Sequence, residues 1–331
     1  MGKVITSFYR GNFIESQHNI KCIIGNVDGQ KIFTTNNDND YIYPRSAIKI
    51  FQAIPFASSN AIKIFNLNQK QISLACSSHC GEIFHIRELK RWINKTGIKL
   101  SNLKCGIHNP LDIKSTEQLL LSGNRPYQLY NNCAGKHLAM LTSCKINKYS
   151  INDYLKFDHP HQKEIRTVFS KFTEEKILVK NYGIDGCSAP QYSFKFIQLA
   201  NALINLFKSY NSKFEYSFQV KNMIDSILNY PLFIGGNKNL DSNLMRISNG
   251  NMFCKGGAEG VFLFLHLKKG IYGVLKVSDG NERALPSAVF NFCKKLRLLD
   301  NEAISEFKLW NDFMIYNHAR IKVGRINTII E

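Results

Sequence analysis

The sequence predicts an α+β protein in which strands from both ends of the chain build one sheet and a mostly helical lobe is inserted between them. Two β-rich pairs lie near the two ends, and helical periodicity dominates the segment between them. We expect the sheet to come from about 1–45 and 250–331 and the helical part to span about 46–249. No repeat or low-complexity linker divides the 331 residues, which we expect to form a single unit with two lobes.

The strands are predicted from two turn signals. Asp28-Gly29 separates two β-rich runs in "NIKCIIGNVDGQKIFTTNN", which is typical of a hairpin. Near the other end, "NMFCKGGAEGVFLFLHL" and "GIYGVLKVSD" flank a turn at 268–270. Apolar periodicity predicts eight helices, at 46–54, 86–96, 114–122, 136–144, 160–171, 191–209, 216–229 and 284–299.

Charge and cysteine content narrow the functional classes. The net charge is +18, but the basic residues are spread along the chain and no nucleic-acid-binding motif accompanies them. We therefore expect no nucleic acid and no membrane partner. The N-terminus lacks an apolar stretch of signal-peptide length, so a cytoplasmic location is expected. Nine cysteines are an odd number in a long chain, which favours reduced thiols, some buried and some metal-bound, over disulfides.

The first candidate for chemistry is Ser46 with Lys49 in "YPRSAIKIFQAIP". Residues three apart on a helix share a face and lie within hydrogen-bond reach. Apolar neighbours strip water from a lysine and lower its pKa, which makes it a general base. The alternative is a surface lysine beside a helix-start serine, because S-x-x-K also occurs by chance.

Two later segments strengthen the catalytic interpretation. "SLACSSHCGEIFH" places Ser78, Cys80 and Glu82 after an apolar run, and "CKGGAEG" places Lys255 before two glycines that allow close approach of a backbone or ligand. The order S-x-x-K, serine motif, Lys-x-Gly resembles that of penicillin-binding proteins and class A β-lactamases. A loop with helix-capping serines is the alternative for the middle segment.

Two cysteine-containing segments have no counterpart in that order. "NNCAGKHLAML" contains Cys133, Lys136 and His137, and "NYGIDGCSAP" contains Asp185 and Cys187. Two thiolates from separate loops are able to hold zinc when nitrogen or oxygen ligands complete a tetrahedron. Ordinary buried cysteines remain the alternative, because free cysteine is among the most buried residue types.

Six motifs in this order resemble the thermolabile, Rhizobium-type L-asparaginase II family, and the resemblance spans about 10–290. The motifs are "RSAIKIFQAIP", "SSHCGE", "CGIHNP", "NNCAGKHLAML", "YGIDGCSAP" and "KGGAEGV". The resemblance implies a serine β-lactamase-like fold and hydrolysis of L-asparagine to aspartate and ammonia. Cys80 departs from the family, where a small Ser is usual.

Carried over residue by residue, the resemblance implies a catalytic centre with two Ser-Lys pairs beside a zinc site. The pairs are Ser46 with Lys49 and Ser78 with Lys255. The implied zinc ligands are Cys133, Lys136 and Cys187, with Asp185 close by. Arg45, Glu82, His137 and Asp185 are the expected substrate-binding residues, Arg45 as a clamp for the α-carboxylate.

These residues lead to a mechanism and to alternatives. We expect Ser46 to attack the side-chain amide, with Lys49 as its base. We also expect the protein to be a homodimer and to bind a small-molecule substrate. A glutaminase-like or β-lactamase-like serine amidohydrolase is one alternative. A non-catalytic zinc or amino-acid binding protein of the same fold is the other.

Overall fold

The sheet joins the two ends of the chain in the computed structural model, which describes residues 2–331. Its strand order is β11-β12-β1-β2-β10-β9-β8, with β3 paired to β2, and every pairing is antiparallel. These strands are β1 (Val4–Arg10), β2 (Phe13–Asn26), β3 (Lys31–Thr34), β8 (Met252–Gly257), β9 (Val261–His266), β10 (Ile271–Val277), β11 (Met314–Tyr316) and β12 (Lys322–Ile330). The predicted α+β class, with one sheet from both ends, is confirmed.

Four short strands lie between the two halves of the sheet and pair among themselves. β4 (Tyr41–Ile42) pairs with β7 (Phe194–Lys195), and β5 (Tyr182–Ile184) pairs with β6 (Pro190–Tyr192). The predicted helix 191–209 therefore begins only after this pairing, at Phe196. The paired backbone of β6 and β7 is extended, although its apolar residues fit a helical period.

Thirteen α-helices lie within residues 2–331, and all eight predicted helices are among them. They are α1 (Lys49–Ser58), α2 (Ala61–Ile64), α3 (Gln69–Ala75), α4 (Ile83–Thr96), α5 (Ile113–Leu121), α6 (Ala134–Ile146), α7 (Pro160–Thr173), α8 (Phe196–Tyr210), α9 (Ser217–Asn229), α10 (Leu232–Gly235), α11 (Leu240–Ile247), α12 (Leu285–Lys295) and α13 (Asn301–Trp310). The five that were not predicted are short or sit near the C-terminus.

α1 forms the centre of the helical lobe and positions the candidate site. Its residues 49–56 are all buried, and it packs against α6, α7 and α9. α8 packs against β2 and β10 and so fixes the lobe to the sheet. None of the helices within residues 2–331 combines the length and apolarity that a membrane span requires.

Candidate active site

Ser46 lies in a short 3₁₀ segment, Arg45–Ile48, that packs against β8. Arg45, just before the serine, has a φ of +52°, which is unfavourable for a residue with a Cβ. Gly257 of β8 allows the close approach, because a Cβ there would lie 2.3 Å from the Pro44 carbonyl oxygen. Backbone strain of this kind collects at functional sites, and here it precedes the predicted nucleophile.

Lys49 begins α1 and is fully buried. Its Nζ donates to Ser78 Oγ at 2.9 Å and to the Ser77 carbonyl. The Lys49 backbone N–H donates to the Ser46 carbonyl, but within residues 2–331 no hydrogen bond joins the Lys49 amine to the Ser46 hydroxyl. The 3₁₀ segment places Ser46 before the α-helix, and two oxygen atoms of the 76–82 loop satisfy the amine instead.

The surroundings of Lys49 lower its pKa. Burial has the largest effect, and the positive charges of Lys136 and Lys255 lower the pKa further, while the Cys133 sulfur opposes them. A lysine in such surroundings loses its proton more readily than one in water. This agrees with the desolvation that the apolar neighbours of Lys49 predict.

Lys255 on β8 pairs with a residue that the sequence did not single out. Its Nζ lies 3.0 Å from Asp241 Oδ2, and the two side chains are only 2% and 4% exposed. Asp241, in the first turn of α11, also accepts from the Gly256 N–H at 3.0 Å. The predicted partner Ser78 is bonded to Lys49 instead. An aspartate at a helix start is too common to have revealed Asp241 in a single sequence.

Ser46, Ser78, Lys255 and Asp241 open into one cavity of about 260 Å³. Its other polar wall residues are Asn132, Asn239 and Glu282. Burial raises the pKa of Glu282, and Glu259 adds to the effect. Asn132 adjoins Cys133 in a motif that the sequence did mark, whereas Asn239 and Glu282 carried no signal. The cavity thus brings together both predicted serines and one predicted lysine, with Lys49 behind Ser78.

The predicted substrate-binding residues lie outside this wall. Arg45 Nε donates to Asp185 Oδ1 at 2.9 Å, and Lys136 Nζ lies 3.8 Å from Asp185 Oδ2. Burial would raise the pKa of Asp185, but Lys136 and Arg45 hold it below its usual range. Glu82 accepts from Asn237 Nδ2 at 2.6 Å. Arg45 is therefore already engaged by a carboxylate of the protein.

His137 is buried on α6, with its Nδ1 2.6 Å from the Tyr154 hydroxyl and its Nε2 without a protein partner among residues 2–331. Burial lowers the pKa of His137 to about 3, with Lys136 contributing. The imidazole is thus neutral at physiological pH.

The predicted zinc ligands converge at the N-terminus of α6. Hydrogen bonding with Cys133 lowers the pKa of Cys187 to about 5, against the effect of burial, and the same interaction and burial raise the pKa of Cys133. Burial would lower the pKa of Lys136, but the two sulfurs and Asp185 raise it above its ordinary value. Two sulfurs and an amine in one buried cluster are a donor set that suits zinc, provided that Lys136 gives up its proton.

All nine cysteines are free and buried. Within residues 2–331 a second group of possible metal ligands lies apart from Cys133, Lys136 and Cys187. It consists of Cys80, Glu82 and His85.

Comparison with known proteins identifies the family. The L-asparaginase II family matches residues 6–328. No curated protein sequence matches the chain significantly. Among solved structures, a β-lactamase from Mycobacterium bovis is 11% identical with a TM-score of 0.42, and covers 83% of this chain and 94% of its own. A provisionally assigned β-lactamase from Bacteroides dorei is 13% identical with a TM-score of 0.39, and covers 88% of this chain and 93% of its own.

Likenesses at these TM-scores say nothing about the activity of this chain. The family match, in contrast, covers nearly the whole chain and confirms the resemblance carried by the six motifs. The chain therefore belongs to the L-asparaginase II family and is an amidohydrolase that acts on asparagine.

Proposed function

We propose that this L-asparaginase hydrolyses the side-chain amide of L-asparagine through an ester on Ser46, with Lys49 as the general base and Ser78 as its hydrogen-bonded partner. The observation that carries the proposal is the buried Lys49 amine, which has a lowered pKa and lies 2.9 Å from a hydroxyl in the same cavity wall as Ser46. A depressed pKa is what a lysine needs to accept a proton.

The reaction has two halves. The Ser46 hydroxyl proton passes to Lys49, directly or through the Ser78 hydroxyl, while Ser46 Oγ bonds to the amide carbon. The Lys49 ammonium then returns the proton to the departing nitrogen, so that ammonia leaves and a β-aspartyl ester remains. Lys49 then takes a proton from the water that attacks the ester and passes it to Ser46 Oγ as the ester bond breaks, so that aspartate leaves and the Ser46 hydroxyl and neutral Lys49 are restored.

Three features favour Ser46 over Ser78 as nucleophile. The strained Arg45 precedes Ser46, and within residues 2–331 the Ser46 side chain makes no hydrogen bond to the protein. The Ser78 hydroxyl, in contrast, is held by Lys49.

The oxyanion of the reaction needs a backbone donor near Ser46. The Ala47 N–H is occupied by the Pro44 carbonyl at 3.1 Å, so we assign this role to the Ser46 N–H.

Lys255 supplies positive charge beside the reacting amide, and Asp241 fixes its position. Because Asp241 also accepts from the Gly256 N–H, the carboxylate ties the lysine and the strand backbone to α11. Ser46 comes from the helical lobe and Lys255 from the sheet, so we treat the 331 residues as one catalytic unit.

Arg45, Lys136 and Asp185 form a charged cluster next to the cavity, and we assign it the role of orienting the substrate. The Arg45 guanidinium binds the substrate α-carboxylate while it stays bonded to Asp185. The Asp185 carboxylate in turn binds the substrate ammonium group. His137 and Glu82 act indirectly, His137 by packing in α6 and Glu82 by holding Asn237, two residues before the wall residue Asn239.

Cys133, Lys136 and Cys187 are the proposed zinc ligands. Zinc bound there would act as a Lewis acid that orients the substrate beside Ser46. The Lys136 amine must lose its proton to bind zinc. Asp185 and the two sulfurs favour the protonated ammonium form, so zinc has to displace this proton.

We further propose a cytoplasmic homodimer without nucleic acid or membrane partners. Apolar side chains on and before α5 are more than half exposed, and a second copy of the chain would cover them. These residues are Ile107, Leu111, Ile113, Leu120 and Leu121. Size-exclusion chromatography with light scattering measures the mass directly, and a monomer at micromolar concentration would contradict this part.

The proposed ester is tested by rapid quenching in acid during turnover of asparagine, followed by intact and peptide mass spectrometry. We expect an aspartyl adduct on the peptide that contains Ser46, and parallel ammonia-release assays to favour asparagine over glutamine and a chromogenic β-lactam. An adduct on the Ser78 peptide would reassign the nucleophile. Turnover without any adduct under conditions that slow deacylation would argue for direct attack by water.

The pH profile reports on Lys49. A lysine base works only when neutral, and burial lowers the pKa of Lys49, so we expect kcat/KM to rise with pH and to level off below the ordinary lysine pKa of about 10.4. The folded state binds this proton less tightly than the unfolded state, so the contribution of Lys49 to stability also rises with pH. A rate that does not change between about pH 5 and 9 would contradict lysine control.

Asp241→Asn is expected to lower the free energy of unfolding by about 3 kcal/mol, because the change leaves the Lys255 ammonium buried without its carboxylate. Urea denaturation measures the effect. The control is Asp225→Asn, which removes the partner of Lys221 in a pair with side chains 38% and 55% exposed and is expected to cost less than about 1 kcal/mol. Equal losses of unfolding free energy in the two variants would show that the buried pair stabilises the protein no more than the exposed pair does.

Cys187→Ala tests the proposed zinc ligands. We expect the zinc content held by this cluster to fall well below one ion per chain, and KM for asparagine to rise more than kcat falls if the metal orients the substrate. Elemental analysis and steady-state kinetics give both results, with Cys144→Ala, a buried cysteine elsewhere on α6, as control. Unchanged zinc in Cys187→Ala would contradict the ligand assignment.

A further inference from the structure

We propose that Cys80, Glu82 and His85 form a second binding site for a divalent transition-metal ion such as zinc, separate from Cys133, Lys136 and Cys187. The proposal does not depend on the serine mechanism. It rests on the positions of these three side chains and on the loop that closes over them.

The three residues come from the loop that follows α3 and from the first turn of α4. One sulfur, one carboxylate oxygen and one imidazole nitrogen lie within 4.8 Å of one another. Zinc bonds of about 2.0–2.3 Å place tetrahedral ligands roughly 3.4–3.8 Å apart, so a small inward movement of the side chains would supply three of the four ligands, with water as the fourth. Thiolate, imidazole and carboxylate together are a donor set that zinc accepts.

The tautomer of His85 leaves one ring nitrogen available for a metal. His85 Nε2 lies 3.0 Å from the Leu232 carbonyl oxygen, which only accepts, so Nε2 must carry the proton. Nδ1 then presents a lone pair, yet it is buried and has no partner among residues 2–331. A histidine whose second nitrogen donates to a backbone carbonyl is the usual arrangement of a metal ligand.

A fully buried ring nitrogen without a hydrogen bond is costly, and a metal would satisfy it. The His85 ring stacks on the ring of His79, with centroids 5.1 Å apart and planes inclined by 26°. The orientation of the His85 ring is therefore fixed by its neighbours in the protein.

The α10–α11 loop closes the other side of the cluster. A Cβ at Gly236 would lie only 2.2 Å from Cys80 Sγ, so the loop backbone approaches the sulfur as only glycine permits. Asn237 donates to both oxygens of Glu82, at 3.2 Å from its N–H and 2.6 Å from Nδ2. Since Ser78 precedes the cluster and Asn239 follows this loop, a metal would tie together two segments that line the cavity.

Metal stoichiometry tests the proposal directly. Metal-free wild-type protein, Cys80→Ser and the control Cys293→Ser, a buried cysteine on α12, are each titrated with Zn²⁺ alone by calorimetry. We expect the wild type and the control to bind one more equivalent than Cys80→Ser, or Cys80→Ser to bind this equivalent at least about 10-fold more weakly. Equal stoichiometry and affinity in all three proteins would overturn the proposal.

Cobalt distinguishes the two cysteine sites. In Cys133→Ala/Cys187→Ala, Co²⁺ alone should still produce a thiolate-to-metal charge-transfer band, and adding Cys80→Ser should remove it. If Cys80→Ser does not fold, Glu82→Gln takes its place; it keeps the thiolate and loses only the carboxylate charge, so the band should then require at least about 10-fold more Co²⁺. A band that survives Cys80→Ser, or an unchanged Co²⁺ affinity in Glu82→Gln, would place the metal elsewhere and contradict the proposal.

Discussion

Ser46→Ala is expected to reduce kcat for asparagine by at least about 10⁴-fold, as the loss of a catalytic serine does in other hydrolases. The protein should remain folded, because the Ser46 side chain makes no hydrogen bond to the protein within residues 2–331 and alanine suits the 3₁₀ segment that precedes α1. Ammonia release measures the activity, and thermal unfolding verifies the fold.

Two other serines make this result specific. Ser59→Ala, at the end of α1, removes a hydroxyl that bonds only to the Phe56 carbonyl and should leave kcat unchanged. Ser78→Ala removes the partner of Lys49 and should give an intermediate loss. If Ser46→Ala retained near-normal turnover while Ser78→Ala lost it, Ser78 would be the nucleophile.

Lys49→Met is expected to be nearly as damaging, with kcat lowered on the order of 10³-fold or more, because the stem keeps its volume and only the base is lost. Its effect on stability should be small. The change removes a costly buried amine but also leaves the Ser77 carbonyl and the Ser78 hydroxyl without their donor.

The control for Lys49→Met is Lys145→Met on α6. Lys145 also donates to a backbone carbonyl, that of Thr96 at 2.6 Å, but it lies outside the cavity. Normal kcat in Lys145→Met together with loss in Lys49→Met would tie the effect to the site. Equal activity in the two variants would contradict a base role for Lys49.

The local features of this protein were predictable because they depend on neighbours in the chain. Hairpin turns such as Asp28-Gly29, the periodicity of α1 and the order of the six motifs each rest on short segments whose preferences do not need the rest of the fold. Both predicted serines and Lys255 line one cavity, with Lys49 directly behind Ser78, although more than 200 residues separate the first from the last.

The sequence by itself thus determined the class of fold, the family motifs and the residue types available for chemistry. Only the tertiary structure decided the partners of each charged group. Lys49 bonds Ser78 rather than Ser46, Lys255 bonds Asp241, and Arg45 bonds Asp185 across 140 positions. The physical reason is that a buried charge must find a partner wherever the fold supplies one, and this choice depends on long-range packing that no local pattern encodes.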